Sequence, residues 1–399
     1  MQTFLEKTTF TELNLRGNRP IVLFGAGNIA TKTLRKIDSS RVAFIVDNSR
    51  NLQGTQFANF DILEPEKIQE GSLIIICSTA IADISSQLDS LGYSANKDYV
   101  ISPVLNDLLA IDELERLEQT LYFTSGTVPN GAFGGGLYQL DIKGEQLEIK
   151  RIYAGPCYGL IKMKEEILFI DTDKGIMSYD PDTQEFSHKA KTPVGSRAHG
   201  ISFNSDNKRF YVTCSYLDAV IEYDRNFIEL RRFHLSKKTE YYKEPMHHCN
   251  DNCAIGNSLF VTMFSSTGNW KIDSFDGCIA EFDLETGERK TDIKQGLYMP
   301  HNILSIEGSL HVLDSLPGHL RVQNFSVQGT FPAFTRGLGY SNGLYFIGQS
   351  KNRNFSKVQG LSNNISIDCG IIVWHPERKV SRFIPISMRI GEVHSIIAA

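Results

Sequence analysis

From residue 121 to the end of the chain one short pattern returns six times: Leu121-Tyr122-Phe123, Leu168-Phe169-Ile170, Phe210-Tyr211-Val212, Leu259-Phe260-Val261, Leu310-His311-Val312 and Leu344-Tyr345-Phe346. The copies recur at intervals of roughly 35 to 50 residues, a period that carries four short strands per unit and is the signature of a propeller. Nearly every copy is followed by a second apolar strand ending in a polar residue, as in Leu137–Asp141, Met177–Asp180, Ile221–Asp224, Ile279–Asp283 and Ile371–His375. The last five copies are each preceded by an inner strand, at 157–160, 198–201, 249–252, 300–303 and 335–338. The first copy lacks one, and Val393-His394-Ser395-Ile396-Ile397 is there to supply it. The expectation is a six-bladed β-propeller over residues 120–399, closed by its C-terminal strand so that no sheet edge is left open.

Ahead of the repeat the period is different. Ile21-Val22-Leu23-Phe24 runs into Gly25-Ala26-Gly27-Asn28-Ile29-Ala30 and then a helical pattern through Leu34 and Ile37. Further apolar strands follow at 42–46 and 73–77, with a helical run at 81–91. Strands alternating with helices predict a parallel sheet, so the fold class expected for the whole chain is α/β plus all-β. Residues 1–103 read as a Rossmann-like nucleotide-binding domain and 104–119 as a linker helix. In that reading Gly25 and Gly27 allow a diphosphate to approach, Asn28 and Ile29 open the helix whose N–H groups face the anion, and Asp47, about 20 residues beyond the first glycine, accepts from a ribose. A module that only packs or dimerises is the alternative.

Two resemblances add to this. Gly25–Ala30, Phe44-Ile45-Val46-Asp47-Asn48, Gly54, Ile75-Ile76-Cys77-Ser78-Thr79, Leu91-Gly92 and Asp98-Tyr99-Val100 resemble the small Rossmann domain attached to sugar acyltransferases, glycosyltransferases and methyltransferases of bacterial polysaccharide clusters. The likeness covers roughly residues 18–103 and implies a nucleotide sugar or NAD(H) as ligand. Tyr298-Met299-Pro300-His301-Asn302, Arg336-Gly337-Leu338, Gly348-Gln349-Ser350-Lys351, Gln359-Gly360-Leu361, Cys369-Gly370-Ile371 and His248-Cys249-Asn250-Asp251 are similar to an uncharacterised bacterial propeller family. That resemblance is specific over about 245–399, weaker over 120–244, and implies a fold without an activity.

Within the propeller reading, the inner strands line an axial channel and their first residues face its mouth. Tyr158, His199, Asn250, His301, Arg336 and His394 hold that place, one per blade. His199, His301 and His394 fall on alternate blades, and three imidazoles with an open position are the ligand set of a catalytic Zn²⁺-type site. The arrangement is similar in outline to the three-His metal of the six-bladed peptidyl-hydroxyglycine lyase. On the intervening blades Arg336 and Tyr158 would then serve that site as anion clamp and acid or base. A metal-free polar channel, with the imidazoles as neutral hydrogen-bond partners or anion-binding groups beside Arg336, explains the same residues. His247, His248, Cys249 and Cys253 lack the second ligand pair of a closed zinc site and read as a local turn with buried thiols. Cys157 stays unassigned. The long segments 264–275 and 349–364 read as lips of a binding site, Trp270 as a stacking surface for a sugar ring or base or a loop-packing anchor, and Lys351 as a partner for a phosphate or carboxylate or an ordinary exposed charge.

Composition narrows the partners. Forty-six acidic against 41 basic residues, a net charge of -5 and no basic block leave no nucleic-acid footprint. No apolar run approaches a membrane span, Met1–Gly17 is not a secretory leader, and seven scattered cysteines fit reduced thiols in a cytoplasmic protein, with a homo-oligomer in keeping with the module. Three functions compete. The first is an enzyme of glycan or secondary-metabolite biosynthesis acting on a nucleotide-linked or anionic sugar-like molecule, by metal-assisted elimination or hydrolysis. The second is a glycan- or partner-binding scaffold. The third, an NAD-dependent oxidoreductase, lacks a Tyr-x-x-x-Lys pair after the glycine turn.

Overall fold

The computed structural model describes residues 19–127, 131, 133–236, 246–269, 275–351 and 365–399. It divides into two compact units, 1–113 and 114–399. Among the described residues no helix is long and apolar enough to cross a membrane.

The N-terminal unit corrects the Rossmann expectation. Its strands are β1 (Ile21–Phe24), β2 (Val42–Val46), β3 (Gln56–Phe57), β4 (Phe60–Leu63), β5 (Leu73–Ile76) and β6 (Tyr99–Ile101), in the order β3-β4-β2-β1-β5-β6. The sheet is mixed, because β3 pairs antiparallel with β4 across a tight turn in which Ala58 and Asn59 both have positive φ. A parallel crossover normally needs a helix of its own. Here the chain passes from β2 through β3 and β4 to β5 with only a 3-10 turn at Pro65–Lys67, and helix α1 (Asn28–Leu34) has just seven residues. Helix α2 (Ile81–Ser90) adds Ile84 and Leu88 to one apolar cluster, and α3 (Pro103–Glu115) leads out of the unit. These short pieces do not make a covering α/β layer.

The glycine turn is explained by local packing. Gly25 has φ +112, and a Cβ there would lie 2.9 Å from the Cys77 carbonyl oxygen. The carboxylate of Asp47 accepts from the Ala26 N–H at 2.8 Å and from the Ser49 N–H at 2.8 Å, so it braces the turn from within. Gly27 and Asn28 are exposed, and Ile29 is half-buried beneath them.

The second unit is a six-bladed β-propeller built from six four-stranded antiparallel sheets. Blades 2 to 6 run consecutively from inner to outer strand, with inner strands Cys157–Lys162, Ala198–Asn204, Cys249–Ile255, Pro300–Ile306 and Phe334–Ser341. Blade 1 combines Glu118–Ser125, Gly136–Lys143 and Gln146–Ala154 with the C-terminal strand Ser395–Ala398, which pairs Ser395 with Thr124 and Ala398 with Leu121. The recurrent Leu/Phe-aromatic pattern falls on the second strand of each blade, or the equivalent strand of blade 1, where residues such as Leu121, Phe123, Leu168, Val212, Val261, Val312 and Phe346 are fully buried. Apolar alternation thus fills the space between blades.

Near the axis the blades are joined by side-chain stitches. The Asp251 carboxylate accepts from the Asn302 backbone N–H at 3.0 Å and from its Nδ2 at 3.1 Å, and the Asn302 side-chain oxygen accepts from the Gly337 N–H at 2.6 Å. Inner strands approach so closely that a Cβ on Gly159 would stand 2.4 Å from the His199 carbonyl oxygen.

Candidate functional site

Each complete inner strand, in blades 2 to 6, carries a register shift in its first residues: after Cys157, Ala198, Cys249, His301 and Thr335. A bulge of this kind bends the strand and re-aims a side chain. At these positions Tyr158, His199, Asn250, His301 and Arg336 turn inward, and His394 joins them immediately before the closing strand, its N–H bonded to the Thr124 carbonyl oxygen at 2.7 Å. All six line one cavity of about 530 Å³. The structure therefore brings together every propeller residue singled out by spacing.

Spacing overlooked a second tier. Arg197, His248 and Glu392 also line the cavity, each two residues before an inward-facing one: Arg197 before His199, His248 before Asn250, Glu392 before His394. Spacing gives no signal for Arg197 or His248, whose left-handed backbone breaks the period of two of an extended chain. Arg197 and His248 hold positive φ values of 48° and 51°, a conformation uncommon for side chains of this size. Gly126, Thr127 and Phe264 complete the lining.

The rings form a connected set. Tyr158 lies against both His199 and His394, at centroid distances of 4.6 and 4.7 Å, and donates its hydroxyl to the Gly126 carbonyl oxygen at 3.1 Å. Phe264 stacks on His248 at 4.3 Å and meets His301 edge-on at 5.1 Å. Gly126 is a steric necessity, since a Cβ there would stand 2.2 Å from the Tyr158 ring.

Charge is unevenly placed. Arg336 is ion-paired with Glu392, which is almost fully buried. The Arg197 guanidinium donates to the Tyr216 hydroxyl at 2.9 Å and lies over that ring. Burial pushes the four histidines down, His248 and His394 to about 3 and His199 and His301 well below their usual range, with nearby cations and neighbouring imidazoles adding to the effect. All four rings are neutral at physiological pH. Burial also raises the Tyr158 hydroxyl, which stays protonated.

His199 is the unusual member. Both of its ring nitrogens are buried without a hydrogen-bond partner, and His394 Nδ1 is in the same state. An unsatisfied buried donor costs about 1–3 kcal/mol. His301 differs, because its Nδ1 lies 2.8 Å from the Ser315 hydroxyl and 3.0 Å from the Met299 carbonyl oxygen.

The His199 and His394 ring centroids are 5.6 Å apart and those of His301 and His394 6.2 Å, with the latter pair nearly perpendicular. Among the described residues no three His, Cys, Asp or Glu side chains are gathered as a metal-ligating group.

The remaining candidates fall elsewhere. His247 Nδ1 lies 2.9 Å from the Ser265 carbonyl oxygen, and Cys249 and Cys253 are buried thiols raised by desolvation, the latter to about 11. The Cys157 thiol is likewise pushed up by burial and by Asp171, so it is no thiolate nucleophile. Lys351 is exposed. Trp270, with the rest of 270–274, and residues 352–364 lie outside the described residues.

Comparison with known proteins places these features in context. Residues 17–99 match the sequence model of a family described as C2185-like, N-terminal. No curated protein matches the chain. Among solved structures, TolB from Acinetobacter baumannii is similar over 96% of both chains, with a TM-score of 0.50 and 13% identity. Virginiamycin B lyase from Staphylococcus aureus is similar over 70% of this chain and 92% of its own, at a TM-score of 0.42 and 12% identity. The luciferin-regenerating enzyme is similar over 60% of this chain and 78% of its own, at 0.40 and 12%. What the chain shares with TolB at this level of identity is the propeller fold.

Proposed function

We propose that the propeller unit is an enzyme whose cavity binds a small anionic, sugar-like molecule and works on it by proton transfer, as an elimination or hydrolysis. The observation that carries this reading is His199: a neutral imidazole with both nitrogens buried and unpartnered, opening into a cavity that also holds two guanidinium groups. A carboxylate or phosphate entering there meets Arg197 and offers acceptors to the ring N–H groups. Tyr158, protonated and packed against His199 and His394, would give a proton to a leaving oxygen by turning its hydroxyl from the Gly126 carbonyl that it now bonds. A neutral imidazole takes a proton more readily once a bound anion offsets the guanidiniums that depress it. No step in this scheme runs through a metal.

One observation favours a second reading, a binding protein without turnover. His248 and His394, held down to about 3, are far better hydrogen-bond partners than bases. A single pair of measurements separates the two. Calorimetry with a panel of sugar acids, sugar phosphates and nucleotide sugars should detect binding to the wild type that survives a chelator and falls at least about tenfold in H199N. Mass spectrometry of the same mixtures then reports turnover. Binding without product favours the second reading, and a panel that leaves both proteins unbound sinks the anion site.

A further inference from the structure

The Arg336–Glu392 ion pair divides the charge of the cavity unevenly. Two guanidiniums and one carboxylate line it, and the imidazoles and the Tyr158 hydroxyl are uncharged. The excess is therefore a single positive charge. The pair is itself largely buried, 17% exposed at Arg336 and 4% at Glu392, and Arg336 lies over the Phe334 ring, so both charges are fixed in place with little solvent to screen them. Asp251, the next acid along the inner strand after Asn250, lines the opposite mouth and is engaged by Asn302.

We infer that Glu392 sets the charge of the ligand: with Arg336 already matched, the cavity takes one negative charge at Arg197 and disfavours a dianion. This rests on the anion-binding reading above and deepens it by assigning the charge class of the ligand and the residue that selects it. A monoanion leaves the cavity neutral. A dianion leaves a net negative charge in the cavity beside Glu392, and like charges placed together oppose binding.

Two esters of one sugar separate charge from shape. Glucose 6-sulfate is a monoanion, whereas glucose 6-phosphate at about pH 8 is mostly a dianion, its second pKa being near 6. Each is titrated by calorimetry into the wild-type chain, E392Q, and the double variant E392Q/R336Q, with melting curves to verify that all three are folded. The wild type should bind the sulfate ester at least about tenfold more tightly than the phosphate ester. In E392Q, where the excess rises to two positive charges, the preference should reverse. In the double variant the excess returns to one, and preference for the sulfate ester should return with it, so the ratio follows the charge count rather than loss of a particular side chain.

A purely structural role for Glu392 would weaken both esters together, and an unchanged ratio across the three proteins overturns the inference while leaving the anion site intact. If neither ester binds the wild type, the sugar-anion reading itself fails and takes this one with it.

Discussion

At the scale of single residues the cavity depends on small positions as much as on charged ones. Gly126 permits the Tyr158 ring to lie where it touches both His199 and His394. Replacing it with Ala should push the ring toward the axis, at a cost of about 1–3 kcal/mol for the overpacked contact. Urea unfolding should show that loss, and calorimetry should show a weaker ligand than in the wild type; an unchanged midpoint together with unchanged affinity would mean that Tyr158 has another place to go. The inward-facing residues were legible because they repeat once per blade at one strand position. Arg197 and Glu392 are not singled out by the sequence and His248 reads there as part of a local turn, although each stands two residues before an inward-facing residue. Their placement depends on backbone conformation just before the strand, with positive φ at Arg197 and His248, and no residue-type preference announces a left-handed arginine or histidine.

At the scale of elements, the closing strand holds the most consequence. Ser395–Ala398 is all that stands between the first blade and an open edge, and Ile396 is 3% exposed there, packed with Phe123 and Phe346. A chain lacking residues 393–399 should aggregate or melt well below the full chain, because it exposes both an unpaired strand and an apolar face; equal solubility and melting would argue that the ring is held by other contacts. The strand was readable as the missing inner member of an incomplete repeat. The N-terminal sheet was misread for an equally local reason. Its strands, glycine turn and terminal acid imitate a dinucleotide fingerprint, but the β3–β4 turn at Ala58-Asn59 makes an antiparallel edge where a parallel sheet was expected, and the Asp47 carboxylate accepts from the Ala26 N–H of the glycine turn itself. A two-residue hairpin carries less sequence signal than the apolar strands around it.

At the scale of the whole molecule, four buried neutral histidines link stability to pH. In the unfolded chain their ordinary value is near 6.5, while in the folded chain His248 and His394 are held near 3 and the other two well below normal. Between those limits the unfolded state binds more protons, so stability falls as pH is lowered from about 6.5 toward 3, by up to about 1.4 kcal/mol per pH unit for each ring. Melting temperature should drop steadily through that window and less steeply in H394Q; a flat profile between about pH 7 and 5 would show that the rings protonate in place. The ring closure gives this molecule a further property in time. Tyr158 and His394 touch in the folded cavity yet lie at opposite ends of the propeller sequence, and Glu392 and His394 precede the last strand directly. During synthesis every other lining residue is made first and waits in a half-built ring. The cavity is complete only when the final strand docks, so a chain interrupted before residue 394 lacks part of its lining however well its earlier blades have formed.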